Sequence, residues 1–249
     1  VVTGVYETKD GAAVTLDRTA FFPAGGGQNA DTGYIGTARV TDVKENGGEI
    51  LHFAAAPLNV GEKYSCSLDW EQRYRRMQNH SGEHIVSGIS HTLHGVENVG
   101  FHMGGESMTI DFDKELTWDE LMEIEKRANE AVRADIPVTA FFPGSGELAS
   151  MDYRSKLELT HDVRIVDIPG VDRCACCAPH VYRTGEVGLI KILDFMRHRG
   201  GIRVTLVCGM DALDTVRIMQ ENITAVSQLL SAKRHECGKA VGRVLSDAA

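Results

Sequence analysis

The stretch MQNHSGEH at residues 77–84 decides how the rest of this sequence is interpreted. It lies in a proline-free run of helix-forming residues, and Met77, His80, His84 and Gly88 recur at spacings of three and four. This spacing predicts a helix with two imidazoles on one face, about one turn apart, where they can bind one metal ion. For this pair alone, a solvated helix face is the alternative.

A second group of ligand-forming residues lies in the stretch CACCAPH at residues 174–180. Cys176 and His180 repeat the spacing of the first pair, and a thiolate next to an imidazole in a short loop is typical of a metal site. Cys174 and Cys177 are open to two interpretations, as thiols that support the site or as thiols that merely lie near it. Three nitrogen ligands and one sulfur ligand suit tetrahedral Zn²⁺. The sequence therefore predicts one zinc site, formed by His80, His84, Cys176 and His180.

A hydrolytic or ligand-binding role fits this zinc site better than a purely structural one. Structural zinc sites usually take their ligands from two close knuckles, whereas here a helix pair and a loop pair lie far apart in the sequence. The pattern H-x-x-E-H also matches an inverted zinc-protease motif with Glu83 as the base. That interpretation needs a distant acidic ligand and leaves Cys176 and His180 without a role.

The residues before the metal-binding helix predict β structure. Short apolar stretches alternate with glycine clusters throughout residues 1–68, which is typical of short strands and tight turns. We therefore expect a small glycine-rich β-barrel domain here.

The residues after that helix complete an α+β fold. The capping-box pattern of Thr117 and Glu120 predicts a second helix, and alternating apolar residues predict antiparallel strands. We expect residues 69–209 to form a two-layer α/β domain with an antiparallel sheet. Residues 210–249 have near-heptad apolar spacing, which predicts a helical linker or dimerisation segment that is truncated in this chain.

The composition excludes several classes of protein. The 249 residues are 43% hydrophobic and 24% charged, as in ordinary folded globular proteins. A formal net charge of −9 disfavours a protein that coats nucleic acids. No window approaches 18 uninterrupted apolar residues, so we expect no membrane partner. Six cysteines without an N-terminal signal pattern indicate a reducing compartment, and we expect a cytoplasmic protein.

Four motifs in the same order resemble those of the editing domain of alanyl-tRNA synthetases, and still more those of their free-standing relatives, the alanyl-tRNA editing (AlaX) proteins. The resemblance covers about residues 14–210. Its motifs are DRTAFFPAGGGQNADTG at 17–33, MQNHSGEH at 77–84, the C-x3-H pair followed by TGEVG at 184–188, and GEVGLIKI at 185–192 followed by GGIRV at 200–204.

The resemblance implies a zinc-dependent hydrolase that cleaves the ester bond between alanine tRNA and a wrong amino acid, chiefly serine and in some members glycine. It implies the same four metal ligands. It places Ser81 beside the amino acid, where a hydroxyl partner would distinguish serine from alanine. A helix-surface serine is the alternative. The glycine-rich loop would contact the acceptor end of the tRNA, through Gly25, Gly26, Gly27 and Gln28.

The sequence departs from the family pattern in two places. The usual Cys-Gly-Gly-Thr-His reads CCAPH at residues 176–180, so Pro179 stiffens the loop and the threonine hydroxyl is lost. A Gln-containing segment of the synthetases is replaced by VGFHMG at residues 99–104. His102 in that segment is a candidate proton carrier or contact to the terminal ribose, and an ordinary strand histidine is the alternative.

The RNA contacts are less clear from the sequence. Arg197 and Arg203 are candidate contacts to acceptor-stem phosphates, with solvated surface arginines as the alternative. A non-catalytic zinc-stabilised RNA-binding or dimerisation module is the rival function. We expect the chain, which begins with Val1 rather than Met, to be a fragment. The editing fragment of a full alanyl-tRNA synthetase is therefore a further alternative.

Overall fold

An antiparallel sheet of six strands forms the first part of the chain in this computed structural model, which describes residues 1–9, 11–105, 107–155 and 163–248. The strands pair in the order β1-β2-β5-β4-β3-β6. Two clusters of buried apolar side chains lie against this sheet, one around Val14 and the other around Ile35 and Val40. The bounds are β1 Val2–Thr8, β2 Gly11–Leu16, β3 Gly33–Ile35, β4 Ala38–Asn46, β5 Glu49–Ala54 and β6 Cys66–Leu68.

The closed barrel predicted for residues 1–68 is not what the structure shows. Among the described residues, the outer strands β1 and β6 are not paired with each other, so the sheet is open. The strand β6 has only three residues, and irregular backbone meets the outer strand β1 in its place. Val2 N–H donates to the Glu62 carbonyl at 3.0 Å, and Gly61 N–H donates to the Val2 carbonyl at 2.9 Å.

The second part of the chain is mixed α and β, as predicted, with two antiparallel sheets. Four strands pair in the order β12-β13-β8-β7, and three pair in the order β11-β10-β9. Residues 169–188, which carry the second ligand pair, contain a strand, β11, and a 3₁₀ turn. The elements are α1 Trp70–His94, β7 Asn98–Met103, β8 Met108–Phe112, α2 Trp118–Arg133, β9 Thr139–Phe141, α3 Ser145–Ser150, β10 Ile165–Ile168, β11 Asp172–Ala175, the 3₁₀ turn Thr184–Val187, β12 Ile190–His198 and β13 Gly201–Cys208.

The C-terminal helix is present but interrupted. It consists of α4, Gly209–Leu229, and α5, Cys237–Asp247, with a 3₁₀ turn, Arg234–Glu236, before the second helix. Ser231 has a positive φ of 50°, which a continuing right-handed helix does not allow. None of the described helices is long and apolar enough to cross a membrane.

Helix α1 lies at the centre of the second part, where it contacts α2, β11, β13 and α4. Its residues are buried from Met77 to Gly88, which is the segment that carries both predicted histidine ligands. The predicted capping box at the start of α2 is confirmed, since Thr117 and Glu120 exchange hydrogen bonds. The largest apolar core joins α1 and α2 to the four-stranded sheet.

Candidate metal centre

Two glycines allow neighbouring segments of the chain to approach the buried face of α1 closely. A Cβ atom on Gly82 would collide with the Cys208 thiol at the end of β13. A Cβ atom on Gly88 would collide with the Val171 carbonyl and the Asp172 side chain before β11. The histidines at 80 and 84 therefore face the segment that follows β11, which carries the second ligand pair.

The structure brings the four sequence-predicted ligand residues together. One ligand atom each of His80, His84, Cys176 and His180 lies within 4.8 Å of all the others. The Cys176 Sγ atom is 3.5 Å from His80 Nε2 and 3.4 Å from His180 Nε2. A helix face and a loop after β11 thus converge on a single point, as the spacing of the two motifs predicts.

Each imidazole is held through its other nitrogen, Nδ1. The partners are Gln28 Oε1 for His80 at 3.0 Å, Asp172 Oδ2 for His84 at 2.9 Å and Ser81 Oγ for His180 at 3.1 Å. An amide or carboxylate oxygen only accepts hydrogen bonds, so Gln28 and Asp172 favour the tautomer that carries its proton on Nδ1. That tautomer leaves Nε2 free to bind a metal ion. The donor set and its supports therefore fit a metal ion.

The electrostatics of the cluster favour a thiolate. Burial alone would raise the pKa of Cys176, but the nearby His80 and the side-chain contacts with His180 and His80 lower it far below its ordinary value. Burial and the neighbouring His84 lower the pKa of His180 to about 4. Burial opposes protonation of His84 as well, but the hydrogen bond to Asp172 raises the pKa of His84 well above its ordinary value. A thiolate among imidazoles is the form in which cysteine binds metals.

Comparisons with known proteins show similarity to tRNA synthetase domains and to alanyl-tRNA editing proteins. Residues 163–204, which contain Cys176 and His180, match the family described as "Threonyl and Alanyl tRNA synthetase second additional domain". Residues 2–72, which form the N-terminal sheet, match "tRNA synthetases class II (A)". The alanyl-tRNA editing protein AlaX-L of Pyrococcus horikoshii is 34% identical over 85% of this chain and 55% of its own length.

Two further relatives come from a vertebrate and an archaeon. The alanyl-tRNA editing protein Aarsd1-A of Xenopus laevis is 37% identical over 76% of this chain and 47% of its own length. The alanine–tRNA ligase of Ignicoccus hospitalis is 34% identical over 88% of this chain and 26% of its own length. Over most of its length, the chain is thus similar to alanyl-tRNA editing proteins. It spans about half the length of the curated editing proteins that it matches.

The glycine-rich loop is part of the candidate metal centre. Gly25 and Gln28 form a tight turn in which each N–H donates to the other's carbonyl at 3.0 Å. Gly27 has a φ of +84°, and a Cβ atom there would lie 2.5 Å from the Phe101 ring and 2.6 Å from its carbonyl oxygen. Met103 N–H donates to the Gly27 carbonyl at 3.1 Å. The loop therefore packs on β7 and delivers Gln28 to His80. The loop also approaches the second ligand segment, since a Cβ atom on Gly26 would lie 3.7 Å from the Cys177 sulfur.

The two candidate catalytic residues lie in different environments. Ser81 is fully buried, and its Oγ accepts a hydrogen bond from the Val181 N–H at 3.2 Å while it also contacts His180. His102 is exposed on β7. Its neighbour Phe101 is buried and packs against His80, with ring centroids 4.9 Å apart. Among the described contacts, none joins His102 to the metal ligands, so the structure brings Ser81 into the site but not His102.

The two candidate arginines lie on the four-stranded sheet, apart from the ligand cluster. Arg203 donates two hydrogen bonds to Asp111, at 2.6 and 2.7 Å, and this carboxylate balances its charge. Arg197 is largely exposed and pairs with Glu115 at 3.3 Å. Of the two, Arg197 is the more available to a phosphate group.

Sequence reasoning missed Asp172, and it considered Glu83 only as the base of the rival zinc-protease motif. Asp172 begins β11 and contacts His84, as described above. Glu83 is buried, and its Oε1 accepts a hydrogen bond from Ser87 at 2.8 Å and another from Asn98. The Oε2 atom of Glu83 is 3.8 Å from His84 Nε2. Asp172 lies two positions before Cys174, and this proximity to the cysteine cluster is the sequence feature that could have indicated its role at the site.

Proposed function

We propose that this chain is a zinc-dependent hydrolase that deacylates mischarged alanine tRNA, with serine as the wrong amino acid and glycine as a second one. The observation that supports this most directly is the convergence of three imidazoles on one cysteine sulfur. The substrate class is proposed from the similarity to relatives that carry the name alanyl-tRNA editing protein.

Zinc is the metal that this donor set favours. Three neutral nitrogens and one sulfur form the mixed tetrahedral set that Zn²⁺ accepts. A single thiolate leaves the ion with a net positive charge, so the bound ion supplies Lewis acidity to the ester.

The residues of the chain would bind and orient the substrate around this ion. When His180 carries its proton on Nδ1, Ser81 Oγ accepts from His180 and from Val181, so the Ser81 hydroxyl proton stays available to the side chain of a seryl ester. Gln28 Nε2 is buried and has no hydrogen-bond partner among the described residues. We assign it as a donor to the acceptor end of the tRNA, together with the glycine turn at 25–27. A proton-carrying role for His102 stays a prediction.

The remaining assignments concern partners and location. The glycine turn and Arg197 are proposed contacts to tRNA, and Arg203 is a weaker candidate because Asp111 already pairs with it. Exposed apolar residues on the C-terminal helices support a homodimer through that segment, including Leu213, Val216 and Met219 on α4 and Val244 and Leu245 on α5. Because charged tRNA is a substrate of translation, we propose a cytoplasmic location.

A deacylation assay tests the proposal. The purified chain is incubated with alanine tRNA charged with serine, with glycine or with alanine, and loss of the ester is followed over time. We expect loss of the serine ester above the uncatalysed rate, little loss of the alanine ester, inactivation by a chelator and recovery with Zn²⁺. His84→Ala and Cys176→Ala should abolish both metal binding and activity.

The neighbouring thiol provides the matched control. Cys177 is exposed and lies outside the four-ligand cluster, so Cys177→Ala should retain zinc and activity. Zinc binding without ester loss would overturn the hydrolase and favour the non-catalytic zinc-stabilised module. Full activity of Cys176→Ala would overturn the metal mechanism. Because the chain also matches about a quarter of alanine–tRNA ligases, the same activity is compatible with an editing fragment of such a ligase.

A further inference from the structure

His84 differs from the other two ligand histidines in the partner of its Nδ1 atom. His80 and His180 contact neutral oxygens of Gln28 and Ser81, whereas His84 contacts the carboxylate of Asp172 at 2.9 Å. The side chains of His84 and Asp172 are 3% and 1% exposed. A buried carboxylate thus lies directly behind one of the proposed metal ligands.

The second oxygen of that carboxylate is occupied by an arginine. Arg154 Nε donates to Asp172 Oδ1 at 2.7 Å, and the Arg154 side chain is 14% exposed. Burying an unpaired carboxylate is costly, so the guanidinium is what allows Asp172 to stay charged behind His84. The three side chains form a chain of contacts from Arg154 through Asp172 to His84.

The backbone fixes each member of this chain. Arg154 forms an isolated bridge with Cys174, in which Arg154 N–H donates to the Arg173 carbonyl at 2.8 Å and Ala175 N–H donates to the Arg154 carbonyl at 2.9 Å. Asp172 is the first residue of β11, and Gly88 on α1 leaves the space that its side chain occupies. The carboxylate is therefore placed by the backbone and not by a flexible loop.

A second metal site is the competing explanation for these residues. His84, Asp172 and Cys174 have ligand atoms within 4.8 Å of one another. However, the guanidinium of Arg154 already supplies a cation at Asp172 Oδ1. A second divalent cation beside Arg154 would meet an electrostatic repulsion that the first site does not have.

We propose that Asp172 and Arg154 are positioning residues of the metal centre, which fix the tautomer and ring orientation of His84 and strengthen it as a ligand. This inference rests on the metal binding in the proposed function but not on the deacylation. The chain segment that contains the ligands Cys176 and His180 therefore also contains Asp172, the residue that positions His84 on α1.

The test measures metal affinity in variants of the full chain. Zn²⁺ affinity is measured by competition with a chelator, and the absorption spectrum of the Co²⁺-loaded protein reports the ligand geometry. Asp172→Asn should weaken Zn²⁺ binding about 10- to 100-fold, which is the usual range for outer partners of metal-binding histidines, and should change the Co²⁺ spectrum. Arg154→Gln should produce a smaller loss in the same direction. The double variant should be no weaker than Asp172→Asn, because both act through one contact.

A neighbouring ion pair provides the control. Arg173 donates to Asp167 at 2.8 Å in the same β10–β11 hairpin, and this pair has no described contact with a metal ligand. Asp167→Asn and Arg173→Gln should leave Zn²⁺ affinity and the Co²⁺ spectrum unchanged. If Asp172→Asn does not fold, the comparison of Arg154→Gln with Arg173→Gln decides the question.

Zn²⁺ affinity within twofold of the parent in a folded Asp172→Asn variant, with an unchanged Co²⁺ spectrum, would overturn the positioning role. Equal losses in the control variants would overturn it too, because they would show a general effect of the hairpin. If the parent binds metal but does not deacylate tRNA, the proposed function fails while this inference stands. If the parent binds neither Zn²⁺ nor Co²⁺, both fail.

Discussion

His52 shows how a single buried residue responds to its surroundings. It lies in β5, its Nδ1 is 2.9 Å from the Val14 carbonyl, and its Nε2 is 2.8 Å from Thr19 Oγ1. Thr19 Oγ1 also accepts a hydrogen bond from the Phe21 N–H at 3.0 Å, so the threonine proton is directed at His52 Nε2. The arrangement holds a neutral imidazole, and burial lowers the pKa of His52 below its ordinary value of 6.5.

We predict that His52 makes the stability of the protein fall in mild acid. Because the folded pKa is the lower one, the unfolded chain takes up a proton first. The stabilisation from neutral His52 is complete above pH 6.5 and is lost as the pH falls through 6.5 towards the folded pKa. Relative to His52→Gln, the unfolding free energy of the parent should decrease by up to about 1.4 kcal/mol per pH unit in that window.

Urea denaturation at a series of pH values measures this difference. An exposed histidine, as in His235→Gln, serves as the control and should follow the parent at every pH. If the unfolding free energies of the parent and of His52→Gln change in parallel between pH 7.5 and 5.5, His52 is not held as a neutral imidazole and the prediction is wrong.

At the residue scale, the ligands were predictable and their supports were not. His80 and His84 are four positions apart, as are Cys176 and His180, so each pair can be recognised from a short stretch of sequence. Gln28 is 52 positions from His80, and Asp172 is 88 positions from His84. No local pattern encodes such contacts, which arise only when the glycine-rich turn and β11 fold against α1.

The turn at Gly25–Gln28 is the element that joins the N-terminal sheet to the metal centre. Gly27 needs both its positive φ of +84° and the absence of a Cβ atom, since Phe101 on β7 occupies that space. Displacing the turn would move Gln28 away from His80. The effect of the turn on the site therefore depends on one close contact with β7.

We predict that Gly27→Ala impairs the site far more than Gly48→Ala does. Gly48 has nearly the same φ, +82°, but nothing lies within 4 Å of its Cβ position. Each variant pays the conformational cost of a left-handed alanine, about 1 kcal/mol, whereas only Gly27→Ala adds the collision with Phe101. We expect reduced Zn²⁺ affinity and deacylation in Gly27→Ala alone. Equal Zn²⁺ affinity and equal stability of the two variants would show that the positive φ, and not the contact with Phe101, is the reason that residue 27 is a glycine.

At the element scale, local signals succeeded where the determinants were local. The capping box of Thr117 and Glu120 set the start of α2, and the spacing around His80 set α1. Closure of the N-terminal sheet depends on which chain segment meets β1, a long-range choice that glycine turns do not encode. The break in the C-terminal helix at Ser231 likewise left no glycine or proline signal in the sequence.

The molecule as a whole depends on the junction between the N-terminal sheet and α1. Asp31, 1% exposed, accepts hydrogen bonds from Arg73 Nε at 2.9 and 3.0 Å and from the Phe22 N–H at 2.6 Å. A second pair crosses the same junction, since Arg39 donates to Asp69 at 3.0 and 2.7 Å. These two ion pairs hold the strand-rich part against the helix that carries the metal ligands.

We predict that Asp31→Asn destabilises the whole protein, because it leaves the largely buried Arg73 without its carboxylate. Breaking one partner of a buried ion pair typically costs about 3–5 kcal/mol. The control is Asp42→Asn, whose partner Lys44 lies on the surface at 3.2 Å, and this change should cost less than about 1 kcal/mol. Urea denaturation followed by tryptophan fluorescence measures both values. Asp31 also anchors the backbone that leads into the Gln28 turn, so Asp31→Asn should weaken Zn²⁺ binding as well. Loss of stability without any change in metal affinity would show that the junction supports the fold but does not hold the glycine turn in the site.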